Sequence, residues 1–421
     1  MPMSEISTQR PEGATVVEIQ RTIEEIARDG AQRILQKALE VEVAEHLKRY
    51  EGMRDENGRC AVVRNGHAPE RTVYSGVGPV TIRRPRVDER AAKGKEDHEE
   101  FSSAILPRFL RRTPTLEGAL AVLYLKGIST NDFATALAAI LGESAKGLSA
   151  STITRLKSVW EDEYNQWRRQ SLRSKEYAYL WADGVYCNVR LDEERSCILV
   201  VIGANFQGEK HLLAVQDGYR ESKESWRELL LDLKHRGLEH DPKLVIGDGG
   251  LGLWAALPEV FPAAKHQRCW VHKTANVLDK MAKSVQGRAK VMIHDIYLAD
   301  TKKNAEAAFE HFITTFQAKF PKATECLEND REELLAFYEF PAEHWQHIRS
   351  TNVIESVFAT VRLRTKKTKG CGTRIATLTM VFKLIGEAEK SWRKLDDWKK
   401  LQLVQEGRRF IDGELDEEPA A

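Results

Sequence analysis

The stretch Ser350–Gly372, STNVIESVFATVRLRTKKTKGCG, contains a single acidic residue, Glu355, followed by a run of cations. Its first half predicts a helix, because four apolar residues recur at the spacing of one buried face: Ile354, Val357, Phe358 and Val361. Asn352, Glu355 and Arg362 fall on another face, since offsets of three and seven residues return to nearly the same side of a helix. A lone carboxylate on a helix that runs into a basic segment indicates a site for a polyanion.

The second half of this stretch, and the residues just after it, carry only positive charges. The cations are Arg362, Arg364, Lys366, Lys367, Lys369 and Arg374. Two interpretations stay open for the whole region. In one, Glu355 only caps the helix three residues after Asn352 and the basic run is solvated surface. In the other, Glu355 belongs to a reactive site and the cations bind a nucleic-acid backbone.

Length and composition restrict the classes of protein that fit. A chain of 421 residues is long enough for two or three domains with cores of their own. The net charge of +1 excludes an acidic disordered protein and requires any nucleic-acid binding to come from local patches. The six cysteines form no CxxC pair, which is typical of reduced thiols. With no apolar run near ~18 residues and no signal peptide, we expect a soluble intracellular protein.

The amino-terminal part predicts a helical segment over residues 1–57 and a basic β-rich element with a linker over residues 58–100. One or two amphipathic helices are expected from Thr15 to about Tyr50, with a break at Gly30. Five arginines of the β-rich element are candidates for contacts with DNA phosphates: Arg64, Arg71, Arg83, Arg84 and Arg86. A basic flap with only a structural role is the alternative.

Residues 101–172 predict three helices with short connections, a pattern typical of a helix-turn-helix DNA-binding region. The predicted helices are Leu116–Leu125, Thr130–Leu141 and Ser151–Trp167. Arg155 and Lys157, near the start of the third helix, are the candidate DNA contacts. A plain helical bundle has the same appearance in sequence.

Residues 173–272 predict a mixed sheet with helices on its faces. Three β-rich runs with short polar turns indicate an antiparallel meander, and helices and shorter strands alternate after it. The predicted elements are Tyr177–Arg190, Ser196–Asn205, Lys210–Gln216, Ser222–Arg236, Lys243–Gly247, Leu251–Leu257 and Ala264–Arg268. The sequence predicts a helical insertion over 273–345. Residues 346–400 are expected to contain the Glu355 helix, the basic arm and a closing helix, and residues 401–421 form an acidic tail.

Three carboxylates are candidates for a reactive site because of their positions in the predicted elements. Asp183 lies in the middle of a predicted strand, where Asp is disfavoured, and Asp248 follows another strand at the sheet edge that carries ligand sites in α/β proteins. With Glu355 they would suit two Mg²⁺ ions, which prefer carboxylate oxygens and keep positions for phosphate oxygens. The alternative is that Asp183 and Asp248 are ordinary turn residues before glycine.

Five segments together resemble the bacterial insertion-sequence transposases of the Mutator-like DDE family. In chain order they are RNGHAPERTVYSGVGPVTIRRPRVD, LYLKGISTNDFATAL, ADGVY, VIGDGGLGLWAALPEVFPAAKHQRCWVHKTANVL and STNVIESVFATVRLRTKKTKG. The resemblance covers most of the chain from about residue 60 to 395. The chain departs from the usual pattern at His67, where an aromatic residue is common, and at Leu363, where the family often has a doubled Arg.

The resemblance implies an α/β (α+β) fold, with an RNase H-like catalytic core interrupted by an all-α insertion and a mainly helical amino-terminal DNA-binding region. It places the metal-binding triad on Asp183, Asp248 and Glu355, with Mg²⁺ as cofactor and Mn²⁺ as a substitute. Cys269, His272, Asn352 and Arg362 match the family's supporting motifs; for Cys269 and His272, a buried thiol and a hydrogen-bonded imidazole are the alternative.

The implied partners are double-stranded DNA, as transposon inverted repeats and as target, and further copies of the chain in a homodimer or higher oligomer. The implied location is the bacterial cytoplasm, on the nucleoid, with no membrane partner. Arg364, Lys366, Lys367 and Lys369 would hold the DNA backbone. Two alternatives stay open: a catalytically inactive DNA-binding remnant, and a metal-dependent nuclease of the same fold without strand transfer.

Overall fold

The computed structural model describes residues 16–95, 97–125, 128, 150–173, 175–189, 196–218, 220–367 and 373–416. The predicted helix Thr130–Leu141, the turn 191–195 and Lys369 therefore lie outside the described residues. The chain divides into two compact units, Met1–Thr154 and Arg155–Ala421. No helix within the described ranges is both long and apolar enough to cross a membrane.

The first unit contains a long helix, four short strands and a further helix. Their bounds are α1 Val16–Arg49, β1 Val63–His67, β2 Arg71–Ser75, β3 Gly78–Ile82, β4 Pro85–Asp88 and α2 Pro114–Leu125. The expected break at Gly30 is wrong, because α1 continues through it. One interior glycine costs a helix only about 1 kcal/mol, and burial of residues such as Leu39 and Val43 offsets that cost.

The strands of the first unit form two antiparallel pairs, β1 with β4 and β2 with β3. Leu39 of α1 packs with Val73, Val80, Ile82 and Leu106 in a small core. The segment 91–100, expected to be a linker, is anchored to the rest of the first unit through His98. His98 Nε2 lies 3.3 Å from the buried Glu89 carboxylate, which also bonds His46 of α1 at 3.0 Å.

The second unit is built on one five-stranded sheet with the order β7-β6-β5-β8-β9. Its strands are β5 Tyr177–Cys187, β6 Ser196–Asn205, β7 Lys210–Gly218, β8 Leu244–Gly247 and β9 Lys265–Arg268. β5, β6 and β7 are antiparallel neighbours, whereas β8 and β9 run parallel to β5. The predicted mixed sheet is confirmed.

Helices surround this sheet and supply the residues that approach it. They are α3 Ala150–Trp167, α4 Lys223–His235, α5 Leu251–Val260, α6 Trp270–Leu278, α7 Lys283–Tyr297, α8 Lys302–Phe316, α9 Pro321–Glu328, α10 Arg331–Leu335, α11 Trp345–Ile348, α12 Asn352–Lys367, α13 Arg374–Glu389 and α14 Lys400–Gln405. Short 3-10 helices span Ala336–Glu339 and Ala342–His344. Every element between β9 and α12 is helical, as the sequence predicts.

The hydrophobic core of the second unit holds α4 and α5 against the sheet. The apolar face of α4, with Trp226, Leu229, Leu230 and Leu233, is fully buried with residues of the sheet and of α5. Ser222 caps α4 by accepting a hydrogen bond from Ser225 N at 3.2 Å. This packing fixes the position of residues 220–222, which directly precede α4.

The described part of the predicted acidic tail over 401–421 contains regular secondary structure. Phe410–Ile411 and Glu414–Leu415 form a small antiparallel hairpin, and Phe410 is buried. Gly413 at its turn has φ +85° and accepts a hydrogen bond from Ala342 N. A buried apolar side chain and a glycine turn thus stabilise the hairpin in this segment.

Candidate active site

Asp183 lies in the interior of β5 with only 3% of its surface exposed. Its Oδ1 accepts a hydrogen bond from Gly184 N at 2.8 Å. Its Oδ2 is buried and has no hydrogen-bond partner among the described residues. Burial, followed by the negative charge of Asp248, raises the pKa of Asp183 well above its ordinary value. A buried carboxylate oxygen without a partner is costly, and a cation would satisfy it.

Asp248 directly follows β8, which lies parallel to β5. Ala182 of β5 pairs with Gly247 of β8, so the next residue in the chain after each of them is an aspartate. The charge of Asp248 acts on Asp183, but its oxygens are not in the ligand group that Asp183 forms with His272 and Glu355. Asp248 Oδ1 accepts a hydrogen bond from Gly250 N at 2.8 Å. Between them Gly249 has φ +89°, a conformation that favours glycine.

Glu355 enters from the first turn of α12. Its Oε1 lies 3.1 Å from His272 Nε2, and its Oε2 accepts a hydrogen bond from Arg362 Nη1 at 3.2 Å. The hydrogen bond with His272, and then the charge of Arg362, lower the pKa of Glu355 to about 2. The shared face predicted for Glu355 and Arg362 is confirmed, and these contacts favour the reactive-site interpretation over a simple helix cap.

Cys269, between β9 and α6, and His272, in α6, support Glu355. The Cys269 thiol is fully buried and accepts hydrogen bonds from Thr351 N at 3.3 Å and Thr351 Oγ1 at 3.4 Å. Hydrogen bonds with Cys269 and then Glu355 raise the pKa of His272 to about 11. Burial raises the pKa of Cys269, but the bonds with His272 and Thr351 outweigh it and lower the value. The pair therefore positions a carboxylate.

The ligand atoms of Asp183, His272 and Glu355 lie within 4.8 Å of one another. Carboxylate oxygens are the ligands that Mg²⁺ and Mn²⁺ prefer, and Asp183 Oδ2 has no partner in the part of the chain that the structure describes, so it is available as a ligand. The residues therefore fit a divalent cation.

A further acid at this site, Glu221, is absent from the sequence predictions. It directly precedes Ser222, and a Cβ added at Gly250 would lie 2.9 Å from Glu221 Oε2 and 3.4 Å from Asp248 Oδ1. Burial, and then the charge of Asp248, raise the pKa of Glu221 to about 7. Its sequence signal is only that of an acidic residue before a helix cap, which is common on protein surfaces.

The basic candidates on α12 differ in accessibility. Asn352 is exposed at the first residue of α12, and the Arg362 side chain is 54% exposed beside Glu355. Arg364 is only 3% exposed, which does not suit the predicted surface contact with DNA. Lys366 and Lys367 continue the same helix, so the first part of the basic run is helical.

The arginines of the first unit also differ. Arg71 donates to the carbonyl oxygens of Pro107 and Arg108 and to that of Leu110, which favours the structural alternative. Arg64 pairs with Glu40 at 2.8 Å, and Arg83 lies 3.9 Å from Glu70. Arg84 and Arg86 line one cavity together with Arg90 and Lys93. Arg155 and Lys157 lie in α3, as predicted.

Comparison with known proteins places this chain in the class of transposases. The chain is 51% identical over 300 residues to the transposase for insertion sequence element IS6120 of Mycolicibacterium smegmatis, covering 71% of this chain and 92% of that relative. It is 48% identical over 278 residues to the transposase for IST2 of Acidithiobacillus ferrooxidans, covering 66% and 94%. The transposase for ISRM5 of Rhizobium meliloti is 27% identical over 91% of this chain and 92% of that relative.

The family described as "Transposase, Mutator family" matches residues 4–395. The chain therefore belongs to the Mutator family of transposases. Among solved structures, a chain of the Drosophila P element transposase strand transfer complex matches with a TM-score of 0.28 and 8% identity, over 77% of this chain and 86% of that one. A similarity at that TM-score carries no weight for the fold.

Proposed function

We propose that this transposase is a DDE-type enzyme that binds transposon ends, cleaves them with a divalent metal and joins them to target DNA. The observation that carries the proposal is the group of Asp183, His272 and Glu355, whose ligand atoms lie within 4.8 Å of one another. The charge of Asp248 also acts on Asp183, whose buried Oδ2 has no hydrogen-bond partner among the described residues. The order β7-β6-β5-β8-β9, with three antiparallel and two parallel strands, supports an RNase H-like core.

Asp183, Asp248 and Glu355 would hold the metal, with Mg²⁺ favoured and Mn²⁺ as a substitute. Such ions activate the attacking oxygen and stabilise the leaving oxygen of a phosphodiester. Glu355 has to present its carboxylate in one orientation, and its bonds with His272 and Arg362 fix that orientation. No side chain has to form a covalent bond with DNA in this chemistry.

The proposed polyanion surface starts at the site itself. Arg362 is both bonded to Glu355 and 54% exposed, so it can contact a phosphate beside the reacting bond. Lys366 and Lys367 on the same helix, and Lys369 beyond it, would extend this contact. In the first unit, the cavity that Arg84 and Arg86 line, together with Asp88, Glu89 and Glu100, is a candidate for a second contact with the transposon end.

The proposed partners are inverted-repeat ends, target DNA and a second copy of the chain that pairs two ends, on the nucleoid in the cytoplasm. The presence of all three acids favours an enzyme over an inactive remnant. A nuclease without strand transfer differs only in its products.

A cleavage and strand-transfer assay tests the proposal. Purified protein, a labelled transposon-end duplex, target DNA and Mg²⁺ are combined for wild type, Glu355→Gln and the matched control Glu387→Gln. Glu387 is exposed on α13 and pairs only at the surface, with Lys390. We expect wild type and control to cut and join the end, whereas Glu355→Gln binds the end but is inert.

Other outcomes contradict specific parts of the proposal. Equal cleavage by wild type and Glu355→Gln would show that Glu355 is not a metal ligand. Cleavage without any joined product, with target DNA present, would favour the nuclease. Binding of the end by wild type without cleavage in Mg²⁺ or Mn²⁺ would favour the inactive remnant.

A further inference from the structure

We propose that Glu221 is a fourth carboxylate ligand of the divalent-cation site, on the side of Asp248. This inference rests on the proposed function, since it concerns the same cation site. The triad motif does not include Glu221, which lies 38 positions after Asp183 and 27 positions before Asp248 in the chain.

Two glycines leave the space that the Glu221 carboxylate occupies. A Cβ added at Gly184, the neighbour of Asp183, would lie 2.7 Å from Glu221 Oε1. A Cβ added at Gly250 would lie 2.9 Å from Glu221 Oε2. The carboxylate is therefore in close contact with β5 at one oxygen and with the loop after β8 at the other.

The backbone of Glu221 is fixed from two directions. Ser222 caps α4, and the buried face of α4 holds that helix against the sheet. A Cβ added at Gly252 would lie 2.1 Å from the Glu221 carbonyl oxygen, so the start of α5 packs directly on this residue. A side chain held in this way suits a ligand that must be in place before the cation binds.

The negative charges of these neighbouring acids indicate that a cation binds near them. Carboxylates that are brought together away from water repel one another, and a cation between them removes that cost. Asp183 Oδ2, buried and without a hydrogen-bond partner among the described residues, independently indicates a ligand beside Asp183. Asp248 lies close enough to act electrostatically on both Asp183 and Glu221. Two divalent ions carry four positive charges, and Glu221 raises the number of carboxylates available to them from three to four.

Binding of Mn²⁺ alone to the full-length protein, without DNA, tests this inference. Free Mn²⁺ is measured by electron paramagnetic resonance during titration of wild type, Glu221→Gln, Asp183→Asn and the matched control Glu224→Gln. Glu224 is an exposed residue three positions further along the chain. We expect Glu221→Gln to weaken Mn²⁺ binding at least about tenfold and Glu224→Gln to leave it unchanged.

The variants separate failure of this inference from failure of the proposed function. If Asp183→Asn loses Mn²⁺ binding while Glu221→Gln binds like wild type, Glu221 is not a ligand but the cation site stands. If Asp183→Asn also binds like wild type, the cation site itself is wrong.

Thermal unfolding provides a second measurement that detects misfolding. In EDTA, Glu221→Gln should unfold at a higher temperature than wild type, because one repelling charge is removed. With Mn²⁺ it should lose most of the stabilisation that wild type gains. A variant that unfolds at a lower temperature in EDTA and keeps the wild-type response to Mn²⁺ would overturn the inference.

Discussion

Glu355 and Asp183 lie in one site, yet removal of their charges should change stability in opposite directions when no metal is bound. Glu355 is stabilised as an anion, because His272 and Arg362 lower its pKa from 4.5 to about 2. That difference corresponds to about 3 kcal/mol of the free energy of unfolding. Asp183 is destabilised as an anion by burial and by Asp248, which raise its pKa.

We therefore expect Glu355→Gln to lower the free energy of unfolding by up to about 3 kcal/mol at pH 7. Glutamine keeps a hydrogen-bond acceptor for His272, so the full value is an upper limit. The raised pKa of His272 also includes its bond with Cys269, and the Glu355 value is thus the better measure of this carboxylate. Asp183→Asn should increase the free energy of unfolding.

Urea unfolding in EDTA, followed by tryptophan fluorescence, measures both effects. All nine tryptophans lie after residue 154, so the signal reports the unit that contains the site. The stabilisation from Glu355 is present above pH 4.5 and is lost as the pH falls towards 2, so the gap between wild type and Glu355→Gln should shrink in that window. A Glu355→Gln variant as stable as wild type, or an Asp183→Asn variant that is less stable, would refute the reasoning.

Three further changes test other parts of the structure. Arg71→Gln should destabilise the first unit by about 2 kcal/mol, because three carbonyls lose a charged donor. Hydrogen exchange of residues 71–82 measures this loss of stability. Unchanged exchange together with weaker DNA binding would instead support a phosphate contact. Burial lowers the pKa of His347 from 6.5 to about 4, so the unfolded chain binds more protons between these values. Wild type should accordingly lose about 2 kcal/mol more than His347→Gln between pH 7 and pH 5 in urea unfolding, and equal losses would contradict the assignment. Gly249→Ala should lower both Mn²⁺ affinity and stability, because a Cβ at this position would lie 0.3 Å from Arg268 Nη1 and the backbone φ is +89°. The clash should displace the neighbouring Asp248. An Mn²⁺ affinity equal to that of wild type would show that the site tolerates this displacement.

The sequence predicts much of the second unit because its signals are local. The alternation of β5 to β7, the apolar face of α4 and the glycine after β8 each specify an element from neighbouring residues. The position of Asp183 in a strand stands out for the same reason, since an acid there contradicts local preference. These elements agree with the structure to within a few residues.

The contacts that complete the site depend on residues far apart in the chain. Nothing near Glu221 in sequence shows that Gly184 and Gly250 leave room for its carboxylate. The ordering of Phe410 likewise depends on helices formed much earlier in the chain. Arg364 belongs to a basic run that local composition marks as exposed, although the helix turns this residue inward. In each case tertiary packing decides the outcome.

The distance in sequence between Asp248 and α12 has a consequence during protein synthesis. Asp183 and Asp248 leave the ribosome long before Glu355, with every helix from α6 to α11 translated in between. A nascent chain can form its sheet early, yet it lacks its third acid until most of the polypeptide has been made. Messenger RNA that is truncated between codons 248 and 355 therefore yields a product with both aspartates and without Glu355. Under the proposed function, chain length itself would keep such an unfinished product from cutting DNA.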